Sequence, residues 1–225
     1  MKILAFDTST KFLSIALLND EKVVSEYHKE EGIRHSEVLI PQAKEMLAKA
    51  GWKVSDIGLI AVGIGPGSFT GLRIAVSTAK GIAASLGTKV VGVPSMDAMV
   101  MNFSKKARVM PLLDAHKGKV YACLYEAGRV GHEKRTEYLL MPVQELLDLV
   151  KEEVLIFGSA VVKYKDILDK HPFVRYISDA DWYPRAVSIG RLGLARYLLR
   201  GDDDPETLDP LYLHPKECNV TKKSR

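Results

Sequence analysis

At 225 residues the chain has room for one large or two small domains that bury a core. Its 47 % hydrophobic and 27 % charged content suits a soluble globular protein, and a net charge of +4 is too small to argue for nucleic acid. The only cysteines, Cys123 and Cys218, lie far apart, which excludes a disulfide framework and points to a reducing cytoplasm. The apolar run at Met1–Phe6 is too short for a signal peptide, and nothing approaches the roughly 18–20 apolar residues of a membrane span.

Ile3–Phe6 reads as a buried strand ending in the polar turn Asp7-Thr8-Ser9-Thr10. Leu13–Leu18 is a second strand, joined through Asn19-Asp20 to Val23–Tyr27 as a hairpin. A helix spans Ser36–Ala50, with Ser36 as its cap and Gly51 as its stop. Leu59–Gly63 is a strand, Thr70–Leu86 a helix ended by Gly87, and Lys89–Val93 another strand. This half therefore reads βββαβαβ.

The order then starts again. Val109–Leu113 stops at Asp114 as Ile3–Phe6 stops at Asp7, and Lys119–Tyr125 and Arg135–Leu140 are the next strands. Pro142–Lys151 is a helix, Val154–Phe157 a strand closed by Gly158, and a weaker helix leads to a Pro172–Ile177 strand. That strand runs into Asp179-Ala180-Asp181, and Ala186–Leu199 is the last helix, ended by Gly201. The segment Leu208–Leu213 looks docked, ahead of a basic tail, Lys222-Lys223-Ser224-Arg225. The repetition implies an α/β protein of two duplicated βββαβαβ halves, 1–101 and 102–225, with the boundary within the more polar Pro94–Lys106. The last helix and tail are expected to pack back near the first half.

The densest signal is Val62–Arg73, which sets four glycines and a proline between a buried run and a helix rich in small residues. A strand, a tight loop and a helix start let backbone N–H groups face an anion or another backbone. Phosphate cradle, tight turn and close approach to a partner are the three readings. Asp7, Thr8 and Ser9 would face a phosphate loop, but their turn has no glycine, so an Asx turn competes. Asp114, followed by His116 and Lys117, is the matching acid of the second half, with a solvated hairpin tip as the alternative. Phe157-Gly158-Ser159-Ala160 reads either as a nucleoside-binding turn or as a strand end with a helix cap. None of the six histidines stand at the spacing of three or four that a helical metal site needs. Gly67-Ser68-Phe69-Thr70-Gly71 lacks the Gly-x-Ser-x-Gly spacing of a nucleophile elbow. The basic clusters Lys105-Lys106-Arg108, Lys117/Lys119 and Arg129/Lys134/Arg135 read as solubilising surface.

Four segments together, Leu4–Ser9, Arg34–Glu37, Gly63–Arg73 and Pro210–Leu213, resemble in order and spacing the TsaB (YeaZ) family of bacterial proteins. The resemblance is dense up to Val93, sparse from Asn102 to Asp181 and present again from Pro184 onward. His116 departs from the Asp-Ala-Arg that the family usually carries. The resemblance implies an actin/Hsp70-like (ASKHA, ribonuclease H-like) fold and a role in making threonylcarbamoyladenosine at position 37 of tRNAs that read ANN codons. It further implies pairing with TsaD, the paralogue that carries the catalytic metal site, together with the ATPase TsaE, and contact with tRNA through that complex. No catalytic residue, metal or cofactor of the chain's own is expected. ATP or ADP at the shared interface, and a homodimer in isolation, stay open.

In family members the two helices of the first half form a bundle with the partner's equivalents. Small residues lie on more than one face of Thr70–Leu86, and Ser36–Ala50 carries two apolar stripes. The expected interface is Leu39, Ala43, Met46, Arg73, Ile74, Ser77, Thr78 and Gly81. A charge at Ala79 or Met46 is expected to abolish pairing while the monomer stays folded. The competing readings are an independent ATPase or small-molecule kinase of the same fold, and a tRNA-binding module.

Overall fold

A computed structural model describes residues 1–103, 106–128, 131–177 and 182–213. Strands β1 (Lys2–Asp7), β2 (Phe12–Asn19) and β3 (Lys22–Glu30) form an antiparallel meander. Helix α1 (His35–Lys49), strand β4 (Leu59–Gly65), helix α2 (Phe69–Leu86) and strand β5 (Lys89–Pro94) follow, and a short helix α3 (Ser95–Val100) closes the half. The sheet runs β3-β2-β1-β4-β5, with β1, β4 and β5 parallel. Both of its faces are covered, which is why β1, β2 and β4 read as continuous apolar runs rather than alternating ones. Leu4, Phe6, Ile15, Leu17, Ile60 and Val62 pack beneath α1 and α2.

The second half contains β6 (Ala107–Asp114), β7 (Lys119–Ala122), β8 (Tyr125–Ala127), β9 (His132–Lys134) and β10 (Leu139–Pro142). Then come α4 (Val143–Leu149), β11 (Val154–Phe157), α5 (Ala160–Leu168), β12 (Val174–Tyr176) and α6 (Ala186–Arg200). Its sheet order, β10-β7-β6-β11-β12, matches that of the first half position by position, with β8 and β9 extending the meander. The chain is thus an α/β protein of two βββαβαβ halves. Helix α6 covers the other face of the first sheet, where Ile189 and Leu194 meet Ile3, Ala5, Leu18, Ala61 and Val93.

Three local expectations are corrected. Lys119–Tyr125 is divided between β7 and β8, and the strand expected at Arg135–Leu140 begins only at Leu139. At Cys123-Leu124 the ladder is interrupted because Leu124 N donates to Thr136 Oγ1 (3.0 Å) and Leu124 O accepts from Arg135 N (2.8 Å). Within Pro94–Lys106, read as a polar boundary, α3 buries Met96, Ala98, Met99 and Val100. Ser36 is not a cap: α1 starts at His35 after a single 3-10 turn at Gly32–Arg34, with no side-chain cap.

After α6 the chain returns across the first half. Asp203 N donates to Val90 O and Asp203 Oδ2 accepts from Gly92 N, both at 2.8 Å. Lys80 Nζ donates to Glu206 O and Leu208 O, and Leu211 N donates to Ile64 O. No helix among the described residues is long and apolar enough to cross a membrane. Lys105, Arg129, the Asp179–Asp181 turn, His214, Cys218 and the Lys222–Arg225 tail lie outside the described residues.

Candidate functional site

The end of β1 and the glycine-rich loop close on each other. Asp7 Oδ1 accepts from Ser9 N (2.8 Å) and Ser9 Oγ (2.6 Å), an Asx turn. Asp7 Oδ2 accepts from Ser95 Oγ at 2.6 Å, and that hydroxyl in turn accepts from Gly65 N at 3.0 Å. Thr8 Oγ1 donates to Gly71 O (2.6 Å), and Ser68 N donates to Ser9 O (2.7 Å). Asp7, Thr8, Ser9 and Ser95 are all buried, and burial raises the Asp7 carboxyl above its ordinary value against the pull of its hydrogen bonds.

These contacts explain the glycines. A Cβ at Gly63 would run into the Asp7 carboxylate, one at Gly67 into Ser9 O, and one at Gly71 into Thr8 O. The loop needs glycine at these positions to admit the Asp7 carboxylate and the Thr8 and Ser9 carbonyls. Ser68 still caps α2, accepting from Gly71 N at 3.2 Å.

Asp114 at the end of β6 occupies the position equivalent to Asp7, in a more open setting. Lys163 Nζ lies 2.9 Å from both of its carboxylate oxygens, and His116 N donates to Oδ1 at 3.1 Å. The Lys163 amine is held above its usual range by this pairing. His116, Lys117 and Gly118 all take positive φ in a tight hairpin, with Lys119 N donating to His116 O. At Phe157–Ala160, Ser159 precedes α5 without capping it; its hydroxyl faces Asp114 N at 3.5 Å.

Between the halves opens a cleft of about 690 Å3, lined by Ser9, Thr10, Lys11, His35, Ser68–Thr70, Asp114–His116, Tyr121, Ser159, Tyr183 and Tyr212. His35 is buried at the start of α1, where burial lowers its pKa and favours the neutral ring. Of the candidate ligand residues, Ser9 and Asp114 line the cleft, whereas Asp7 and Thr8 lie sealed beneath it.

The expected partner face is partly corrected. Leu39, Ala43 and Met46 lie in the core, with Met46 only 4 % exposed, because this stripe of α1 is the one that covers the sheet. Ala79 is fully buried, so a charge there or at Met46 would unfold the monomer rather than test pairing. Arg73, Ser77 and Gly81 are exposed on α2, with Ile74 and Thr78 half-buried beside them. A Cβ at Gly81 would meet nothing within 4 Å. A groove of about 310 Å3 between α1 and α2 is lined by Ile40, Ala43, Lys44, Leu47, Trp52 and Ile82.

Ser95, Lys163, Phe69, Tyr183 and Tyr212 were not singled out from the sequence as site residues. Ser95 directly follows a strand-ending proline, which is the single local hint of its position.

A family model described as TsaD: tRNA N6-adenosine threonylcarbamoyltransferase matches residues 19–174. The tRNA threonylcarbamoyladenosine biosynthesis protein TsaB of Escherichia coli K12 is 32 % identical over 177 residues, 74 % of this chain and 75 % of that protein. The protein of the same name from Bacillus subtilis 168 is 32 % identical over 173 residues, 75 % of this chain and 76 % of its own. The solved structure of YeaZ from Pseudomonas aeruginosa superposes with a TM-score of 0.80 at 25 % identity, covering 94 % of this chain and 99 % of that one. The chain belongs to the TsaB family.

Proposed function

We propose that this chain is a subunit without chemistry of its own that pairs with TsaD in the cytoplasm. With the ATPase TsaE it supports threonylcarbamoyl transfer to adenosine 37 of tRNAs that read ANN codons. The observation that supports this reading is the closure of the Asp7–Ser9 turn on Gly63, Gly67 and Gly71, which gives these glycines an internal packing role. The names of the relatives supply the pathway. Any ATP or ADP used in the reaction is assigned to the shared interface and not to the Asp7 turn, and tRNA is met through the complex.

The pairing face is the solvent side of α2, with Arg73, Ser77, Gly81 and the half-buried Ile74 and Thr78, continued by the apolar groove that reaches Ile40 and Ile82. Small residues let a partner helix approach closely, and two helices meeting their counterparts would bury on the order of 1,200–2,000 Å2. In isolation the same face would pair two copies of the chain. Leu39 and Met46 contribute by holding α1 on the sheet, and Ala43 both packs on it and lines the groove.

The test is co-purification with TsaD, with Gly81→Arg as the disrupting variant. Retention by the wild type and loss in Gly81→Arg, at an unchanged melting temperature, is the expected result. ATP hydrolysis by the purified chain alone, at more than a trace rate, would support the kinase reading instead.

A further inference from the structure

One charge on the pairing face has no counter-charge among the described residues. Arg73 heads the line Arg73, Ser77, Gly81, which follows one side of α2 at a spacing of four. Its guanidinium is held in place. The guanidinium carbon lies 3.9 Å from the Phe69 ring centre, and Nε donates to Tyr212 Oη at 3.2 Å across 139 residues of chain. One planar face and one edge of the group are thereby taken. The N–H groups of Nη1 and Nη2 have no hydrogen bond or ion pair among the described residues.

The neighbouring helices do not answer this charge. In its 18 residues α2 carries two cations, Arg73 and Lys80, and no acid. With no acid in the first turn, the positive end of the helix dipole adds to the Arg73 charge instead of offsetting it. Lys80 is occupied by the carbonyls of Glu206 and Leu208. On α1 the acids are Glu37 and Glu45, and they pair with Arg34 (3.5 Å) and Lys49 (2.6 Å). A second copy laying its α2 on this one would bring more cations and no acid. A facing helix that carries a carboxylate would meet a fork already stacked and oriented.

We infer that Arg73 is the charged anchor of the pairing face, and that its Nη1 and Nη2 edge takes the carboxylate of an Asp or Glu on the facing TsaD helix. The inference rests on the pairing proposed above and names what the partner must carry. Ser77 and Gly81 let that helix come close enough for a short acidic side chain to reach. Arg73 and Gly81 stand about 12 Å apart along the axis, at 1.5 Å per residue, so the acid lies about two turns from the partner residue that packs on Gly81.

Affinity for purified TsaD is measured at low and at physiological salt for wild type, Arg73→Ala, Arg73→Lys, Arg73→Glu and Gly81→Arg, with thermal melts to confirm that each is folded. Arg73→Ala is expected to bind about 30-fold or more weakly, and to depend less on salt than wild type does, which a packing role alone would not produce. Arg73→Lys keeps the charge but not the fork and should fall in between. Arg73→Glu should not bind, and changing the Asp and Glu residues of the TsaD helices to Arg, one at a time, should restore binding at one position. Wild-type affinity in Arg73→Ala and Arg73→Glu, with binding lost in Gly81→Arg, overturns the anchor and leaves the pairing face standing. Weakened binding with an unchanged salt dependence and no restoring position also overturns the anchor. No binding by wild type, or full binding by Gly81→Arg, overturns the pairing face and the anchor with it.

Discussion

Ser95 Oγ donates a 2.6 Å hydrogen bond to Asp7 Oδ2 across 88 residues of chain, joining the end of β1 to the first turn of α3. Gly65 N donates to the same hydroxyl, so three segments meet at one buried carboxylate. This knot holds the glycine-rich loop against Asp7–Ser9 and fixes where α2 begins.

Burial raises Asp7 above the ordinary 3.8, so the folded chain keeps that proton to higher pH than the unfolded chain does. Its contribution to stability is fully present below 3.8 and is lost as pH rises through the folded value. Asp7→Asn removes the titration. Denaturant unfolding from pH 4 to 8 should show the variant gaining stability relative to wild type as pH rises. A difference that stays flat or falls would contradict this.

The glycines separate into two kinds. Gly71→Ala forces a methyl group into Thr8 O and should destabilise by about 1–3 kcal/mol or more. Gly81→Ala meets open space in a helix and should stabilise by about 0.5–1 kcal/mol. Thermal melts of the two single variants, which should shift in opposite directions, check both.

The first half was legible because each strand is an apolar run with a clear turn after it, and Gly51 and Gly87 stop the helices where expected. Helix α3 was hidden by its six residues, too few for periodicity to show. The stripe Leu39, Ala43, Met46 was visible as a stripe, but spacing tells that a face is apolar and not what covers it. Nor did the glycine pattern disclose its cause. Gly63, Gly67 and Gly71 answer to residues more than fifty positions earlier, and composition carries no record of that contact.

Tyr125 and Tyr138, on the second half's meander, both donate to Asp97 Oδ1 of α3 at 2.7 Å. This joint ties the two halves together. Burial and the Asp97 charge push both phenols far up, so they remain donors at any physiological pH. Asp97→Ala strands both and should cost roughly 1–3 kcal/mol for each. Asp97→Asn keeps an acceptor oxygen and should cost less. Equal losses in the two variants, measured by urea unfolding, would show that the hydrogen bonds do not carry the joint.

The central claim is that the chain acts by pairing and not by its own chemistry. It is tested most directly by giving purified TsaD and TsaE tRNA, ATP and an activated threonylcarbamoyl donor, and scoring threonylcarbamoyladenosine at position 37 with no added chain, with wild type, and with Gly81→Arg. Modification is expected only with the wild-type chain, while Gly81→Arg melts normally and supports none. Equal modification without the chain, or full activity with Gly81→Arg, would contradict it.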